Sequence, residues 1–313
     1  MDKAAEKQVI LGGTGFIGKA LAARLGEQAI PLGSATFDLS DAAETDAWFA
    51  ENDPASISHI FHLAAVYKAG GWPATHPATQ FHANMAFNLN ALEAWKRHAP
   101  QARFTSVVSY CMYPDHDRPH PETELYGTEP EPYLFAYAFT KKALLIGQRA
   151  YAKEFGLSAT SCVLPTVYGP GDSFAEDSHV MGALIGKFSR AKASGDDEVE
   201  VWGDGSQERE FLFVEDAVDG ILAASERATS EVLNLGAGLA HSIQKLAETI
   251  RAETGFEGKI RYNTDRFVGA KRRVLDSSKT VEELGWLAVT PLAEGIRTTI
   301  ASYDPASNAS VSA

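Results

Sequence analysis

The stretch QVILGGTGFIGKALAARL (8–25) decides the architecture. Its first four residues are an apolar run that predicts a strand. GGTGFIG (12–18) is a glycine-rich turn, and KALAARL carries apolar residues at helical spacing. Gly12, Gly15 and Gly18 stand in a G-x-x-G-x-x-G spacing between the strand and the helix. Glycines there let the backbone turn tightly and approach a diphosphate closely. The charge of that group then sits at the positive end of the helix. Such a spacing is weak evidence alone; placed first in a strand–turn–helix rhythm it points to a dinucleotide, with Thr14, Phe16 and Ile17 completing the turn.

Reading outward, AIPL (29–32), HIFHLAA (59–65), RFTSVVSY (103–110) and Ala159–Leu164 are further strand candidates. Phe81–Lys96 and Leu134–Phe155 have helical periodicity. Strands alternating with helices predict an α/β fold with a doubly wound parallel sheet of Rossmann type, plus a smaller α/β substrate-binding lobe. The first 168 residues form the dinucleotide-binding domain, and 207–238 return to it. Residues 169–206 and 239–303 form the second lobe, with SGDDEVE (194–200) read as a loop, and 304–313 are a frayed tail. The second strand ends in Leu32-Gly33-Ser34, without the acid that would hold a ribose diol. That favours NADP(H), with Ser34 near the 2′-phosphate, and leaves NAD(H) possible. Asp38 is expected to touch the adenine edge or cap the next helix.

The bulk properties narrow the partners. With 28 basic and 41 acidic residues the formal charge is −13, which argues against nucleic acid. No apolar run is long enough for a membrane span, and MDKAAEKQ (1–8) lacks a signal-peptide core. The two cysteines, Cys111 and Cys162, make neither a disulfide framework nor a structural zinc site, so a cytoplasmic location is expected and no metal is assigned.

Tyr137 and Lys141 lie four apart on a predicted helix, on one face. A phenol titrates near pH ~10, and an adjacent ammonium is expected to lower that value and ease proton delivery to a carbonyl oxygen. Ser109, ending the preceding strand, can donate to the same oxygen. Taken singly, the pair reads equally as a core tyrosine beside a solvated lysine. With the glycine turn and the serine upstream it reads as catalytic.

GGTGFIG, HLAA, the strand-end serine, YAFTK and VYGP together resemble the extended short-chain dehydrogenase/reductases that act on nucleotide sugars. SYCMYP (109–114), EPYLFAYAFTKKA (131–143), VYGPGDSF (167–174), EDSHVMGALIGKF (176–188) and VWGDGSQEREFLFVEDA (201–217) are similar to the GDP-L-fucose synthase branch of that family. The resemblance implies an NADPH-dependent epimerase/reductase acting on a GDP-linked 4-keto-6-deoxy sugar. Cys111 and His179 would invert the carbons flanking the ketone, and Ser109, Tyr137 and Lys141 would serve its reduction. Hydrogens beside a ketone are acidic, and inversion needs a proton removed from one face and returned on the other. The resemblance also places Leu63, Ala64, Ala65, Pro165, Val167 and His179 beside the cofactor. Lys187, Trp202, Arg209 and Arg273 fall to the substrate, although Lys271-Arg272-Arg273 reads equally as solvated surface. A homodimer through Phe81–Lys96 and Leu134–Phe155 is implied as well.

Four departures lie near the expected sugar site. VYKAGGWPATHPATQ (66–80), carrying Trp72, is longer than usual. Tyr110 stands where a small hydroxyl residue is usual, Thr166 replaces an asparagine, and Lys187 replaces an arginine found in some members. They leave open a C4 reductase without epimerase activity on a GDP-heptose or dideoxy sugar. A redox-neutral NAD-dependent 4-epimerase is a further alternative, and a non-catalytic dinucleotide sensor is the alternative of another class.

Overall fold

In the computed structural model, described for residues 6–67, 72–127, 129, 132–229, 231–266 and 269–303, the opening run forms β1 (Lys7–Leu11) and the helical pattern forms α1 (Phe16–Leu25). The chain continues through β2 (Ala29–Leu32), α2 (Ala42–Glu51), β3 (Ile57–His62), the single turn α3 (Trp72–Thr75) and α4 (Pro77–His98). Then come β4 (Arg103–Ser109), α5 (Phe135–Phe155), β5 (Ala159–Leu164) and the short β6 (Thr166–Tyr168). The second half comprises α6 (Val180–Ser194), β7 (Glu198–Trp202), β8 (Glu208–Phe213), α7 (Val214–Arg227) and β9 (Val232–Asn234). It ends with β10 (Ala240–Ser242), α8 (Ile243–Thr254), β11 (Lys259–Asn263), β12 (Arg272–Arg273), α9 (Ser278–Leu284) and α10 (Leu292–Ala301).

The main sheet is six-stranded and parallel, in the order β2-β1-β3-β4-β5-β9, with Val9 opposite both Ile30 and Ile60. Both faces are covered, so the buried part of β1, Val9 to Leu11, is apolar without interruption. Val9 and Leu11 point into the core beneath α2, α4 and α5, and Ile10 points into the one beneath α1 and α7. The chain reverses direction across the sheet between β1 and β3, which opens a crevice at their carboxyl ends. A third core, including Phe174, Leu184, Phe188, Val199 and Leu246, holds the second lobe together.

Several boundaries differ from the sequence reading. Strand β3 stops at His62, so Leu63, Ala64 and Ala65 lie just past it, where the chain leaves the sheet. The segment read as a loop at 194–200 already contains the start of β7, which pairs in parallel with β11. The returning segment divides: α7 and β9 join the main sheet and its cover, whereas β8 pairs with β6, β10 and β12 in a separate sheet. Asp38 does not cap α2. Asp41 does, accepting from the Ala43 and Glu44 amides at 2.8 and 3.0 Å, while Asp38 is occupied by Ser40. The tail 304–313 lies outside the described residues. Among the described residues no helix is long and apolar enough to cross a membrane.

Candidate active site

The glycine turn is built for close approach. Gly12 adopts φ +88°, a region that residues with a Cβ avoid. A Cβ there would lie 2.7 Å from the Ala64 amide nitrogen. At Gly18 a Cβ would run into the Gly12 carbonyl, and at Gly13 into Pro31 of β2. The turn thus lies flush against the ends of β2 and β3. Gly15 precedes α1 without a side-chain cap, so the first-turn amides have no partner within the helix. A backbone cradle at a helix amino end suits a diphosphate, and the exposed Thr14 sits on its rim. Ser34 and Asp38 are likewise exposed beyond β2.

Beyond this turn a cleft of about 420 Å³ separates the two lobes. Phe16 and Ile17 of α1, Pro165, Thr166 and Val167, and Ser109, Tyr110, Cys111 and Tyr137 line it from the large lobe. His179, Lys187, Trp202, Arg209 and Arg273 line it from the rest of the chain. Gly12, Ala64 and Lys141 are not among the residues that line it.

Local structure aims the catalytic candidates. Strand β4 ends at Ser109, and a 3₁₀ turn, Tyr110–Met112, follows at once. Ser109 Oγ caps that turn by accepting from the Cys111 amide at 3.2 Å, and its own proton remains available for donation. Cys111 is buried, and Arg273 Nη1 donates to its Sγ at 3.6 Å. The same guanidinium lies over the Tyr110 ring, 5.5 Å from its centroid. The basic trio therefore divides. Lys271 and Arg272 are tied to Asp117 and Glu208 at the surface, whereas Arg273 is 4% exposed at the cleft floor.

Tyr137 and Lys141 share the inner face of α5, with Lys141 Nζ 5.8 Å from the Tyr137 ring centroid. The expected depression of the phenol's pKa is not found. Burial and the neighbouring Cys111 raise it instead, while the Lys141 ammonium donates to the Val107 carbonyl at 3.0 Å. Lys141 is itself drawn down to about 8 by desolvation. His179, just before α6, presents an exposed edge to the cleft, yet surrounding protein lowers its pKa.

Three features escaped the linear reading. Tyr67 stacks on His179 (centroids 4.9 Å apart, planes 8° apart) and packs on Tyr137 at 4.8 Å, so it touches both proton-handling candidates. A buried polar stripe on α4 holds this region. Asn84 clamps the Val66 amide and carbonyl at 2.8 and 3.0 Å, and Asn88 bridges His62 and the Thr140 carbonyl of α5. The four-residue spacing of Gln80, Asn84 and Asn88 was the available signal: polar groups repeating on a helix's inner face must have partners there. Lastly, the two departures Tyr110 and Thr166 are joined to each other, hydroxyl to hydroxyl, at 2.8 Å. Trp72, by contrast, stacks on His76 and is not among the residues lining the cleft.

This geometry agrees with comparisons to known proteins. The model of the NAD dependent epimerase/dehydratase family matches residues 8–236. "GDP-L-fucose synthase 1" of Arabidopsis thaliana is 33% identical, covering 96% of this chain and 94% of its own. "Probable GDP-L-fucose synthase 1" of Oryza sativa subsp. japonica is 34% identical over 95% and 92%. The crystal structure of a GDP-L-fucose synthetase from Naegleria fowleri bound to NADP superposes with a TM-score of 0.86 at 26% identity, covering 96% of this chain and 93% of that one. The chain belongs to the NAD-dependent epimerase/dehydratase family, in its GDP-L-fucose synthase branch. That membership accounts for the parallel sheet, the glycine turn and the second lobe, and it spans nearly the whole length. The Tyr110–Thr166 bond and the Tyr67 stack are what the geometry adds.

Proposed function

We propose that the protein is an NADPH-dependent epimerase/reductase acting on a GDP-linked 4-keto-6-deoxy sugar. One observation carries this reading: Cys111, Ser109 and Tyr137 from the large lobe and His179 from the second lobe line a single cleft, with Lys187, Trp202 and Arg209 further along it. The Gly12–Gly18 cradle fits a dinucleotide diphosphate. NADP(H) is favoured because β2 ends without an acid and the Naegleria fowleri relative is bound to NADP. When bound, the dinucleotide supplies the hydride.

The chain's own groups divide the remaining work. Cys111, beside Arg273, takes a proton from a carbon flanking the ketone, and His179 returns one on the opposite face. Ser109 donates to the ketone oxygen, and Tyr137 gives it a proton during reduction. A phenol held above its ordinary pKa is still protonated at neutral pH, the state this role requires. Arg209 and Lys187 supply cations for a diphosphate, and Trp202 supplies a ring face for the base.

Incubating the protein with NADPH and a panel of GDP-4-keto sugars, with products identified by NMR, tests the proposal. Inverted and reduced product with one NADPH consumed per sugar supports it. Product without net NADPH oxidation indicates the redox-neutral 4-epimerase. The intact Ser109, Tyr137 and Lys141 set argues against a mere dinucleotide sensor. The Tyr110–Thr166 bond favours a second reading, reduction alone of a GDP-heptose or dideoxy sugar, since it fills the floor beside Cys111 with a phenol.

The proposed state is a cytoplasmic homodimer. The outer faces of α4 and α5 expose Phe81, Leu89, Phe135, Phe139 and Ile146, with the Phe81 and Phe139 rings 6.1 Å apart. Such a stripe on paired helices suits burial against its own copy.

A further inference from the structure

The segment between Cys111 and α5 carries chemistry that neither reduction nor epimerisation uses. In DHDRPHPETE (115–124), His116, His120 and Glu124 bring one ligand atom each to within 4.8 Å of the others. Glu124 Oε2 stands 2.9 Å from His116 Nε2 and 3.3 Å from His120 Nδ1. A tetrahedral site with metal–ligand bonds of ~2.0–2.1 Å has ligand–ligand edges of roughly 3.3 Å. The separation to His120 meets that value, the one to His116 is shorter, and the third pair lies within 4.8 Å. The second is long for a hydrogen bond between imidazole and carboxylate.

The surroundings hold the three donors in place. The backbone of His120 is fixed on three sides: its amide donates to the Val274 carbonyl, and its carbonyl accepts from the Asp276 amide and from Asn234 Nδ2. Its side chain is fully buried, packed on Tyr113 at 4.9 Å and on His116 at 4.0 Å between ring centroids. Glu124 lies in the 3₁₀ turn Glu122–Leu125, and Arg118 holds its other oxygen, leaving Oε2 to face the imidazoles. His116 is a quarter exposed, which leaves a side open to solvent for a water as fourth ligand.

We propose that His116, His120 and Glu124 form a binding site for one divalent transition cation, with Zn²⁺ the ion whose donor preferences they fit. The cation would cross-link the loop after Cys111 to itself, and that loop is joined to the 272–276 segment by the backbone of His120. His120 is bonded to Val274, next to the Arg273 that donates to Cys111, so the site braces the floor of the cleft without entering it. Two imidazoles and one carboxylate disfavour Ca²⁺ and Mg²⁺, which take oxygen ligands. Mutual hydrogen bonding with Arg118 is the competing account, and a direct titration separates the two.

The test uses chelator-stripped full-length protein titrated with Zn²⁺ by calorimetry, with Co²⁺ as a spectroscopic substitute. One equivalent should bind per chain, and the Co²⁺ form should show tetrahedral visible bands without a thiolate charge-transfer band. His116→Ala and Glu124→Gln should each weaken binding at least tenfold, with unchanged far-ultraviolet circular dichroism and NADPH affinity as controls for folding. Cys111→Ala should leave it intact. Failure to bind one equivalent at millimolar Zn²⁺ overturns the proposal. So does binding that survives both ligand variants or disappears with Cys111→Ala. None of these outcomes depends on which sugar the enzyme takes.

Discussion

Around Tyr137 the surroundings favour the protonated phenol over the phenolate. Burial and Cys111 raise the phenol's pKa, which keeps it protonated at neutral pH, the state the proposed role as proton donor requires. Tyr137→Phe should lower the rate of reduction ~10²–10⁴-fold with NADPH affinity nearly unchanged, since only a proton donor is lost. Stopped-flow NADPH oxidation and a binding titration check this; near-normal turnover would move the acid elsewhere. Cys111 is separable from that step. Inversion must precede reduction, because hydrogens beside the carbonyl lose their acidity once it is gone. Cys111→Ala should stop solvent deuterium entering C3 and C5 of the keto sugar, while an already inverted keto sugar is still reduced. Exchange at the wild-type rate would make the thiol structural. A third residue concerns stability. Desolvation raises Asp172 from 3.8 to about 7, and its Oδ2 is buried without a hydrogen-bond partner. The folded protein then binds the proton more tightly than the unfolded chain. This group's contribution is greatest below pH ~4, declines as pH rises towards 7, and is flat above. Asp172→Asn should flatten the fall in melting temperature between pH 4 and 7 relative to wild type, and an unchanged slope would count against the assignment.

The element that organises the site is the turn between β1 and α1. Gly12 combines a positive φ with a backbone neighbour 2.7 Å from any added Cβ. Gly12→Ala should lower the melting temperature through ~1–2 kcal/mol of backbone strain and weaken NADPH binding about tenfold or more. Calorimetry and fluorescence titration read the two effects. Unchanged values in both would mean that the turn does not cradle the diphosphate. This turn was legible because three glycines at fixed spacing between an apolar run and a helical pattern serve a single backbone purpose. The buried amide stripe of α4 was not read, because asparagine and glutamine on a helix look solvent-facing until the packing partner is known. Asn84 matters only because Val66 lies against it, 18 residues away in the chain.

At the scale of the molecule, the exposed apolar stripe on α4 and α5 predicts self-association. Sedimentation equilibrium at micromolar concentration should report about twice the 33.7 kDa chain mass. Replacing Phe139 and Ile146 with glutamate should return it to a monomer, and a wild-type mass at the monomer value contradicts the prediction. Across this molecule the linear chain was enough for whatever depends on local periodicity. Alternating apolar runs specify a parallel sheet with covered faces, and fixed short spacings specify the glycine turn and the Tyr137–Lys141 pair. These follow from backbone geometry within one or two turns of helix. Other features depend on which distant segments meet. Folding alone seats Arg273 against Cys111, joins Tyr110 to Thr166, stacks Tyr67 on His179 and assigns β8 to the second sheet. It also sets the sign of the Tyr137 shift. Lys141 is four residues away on the helix and bonded to the Val107 carbonyl, yet desolvation, a property of the assembled core, prevails.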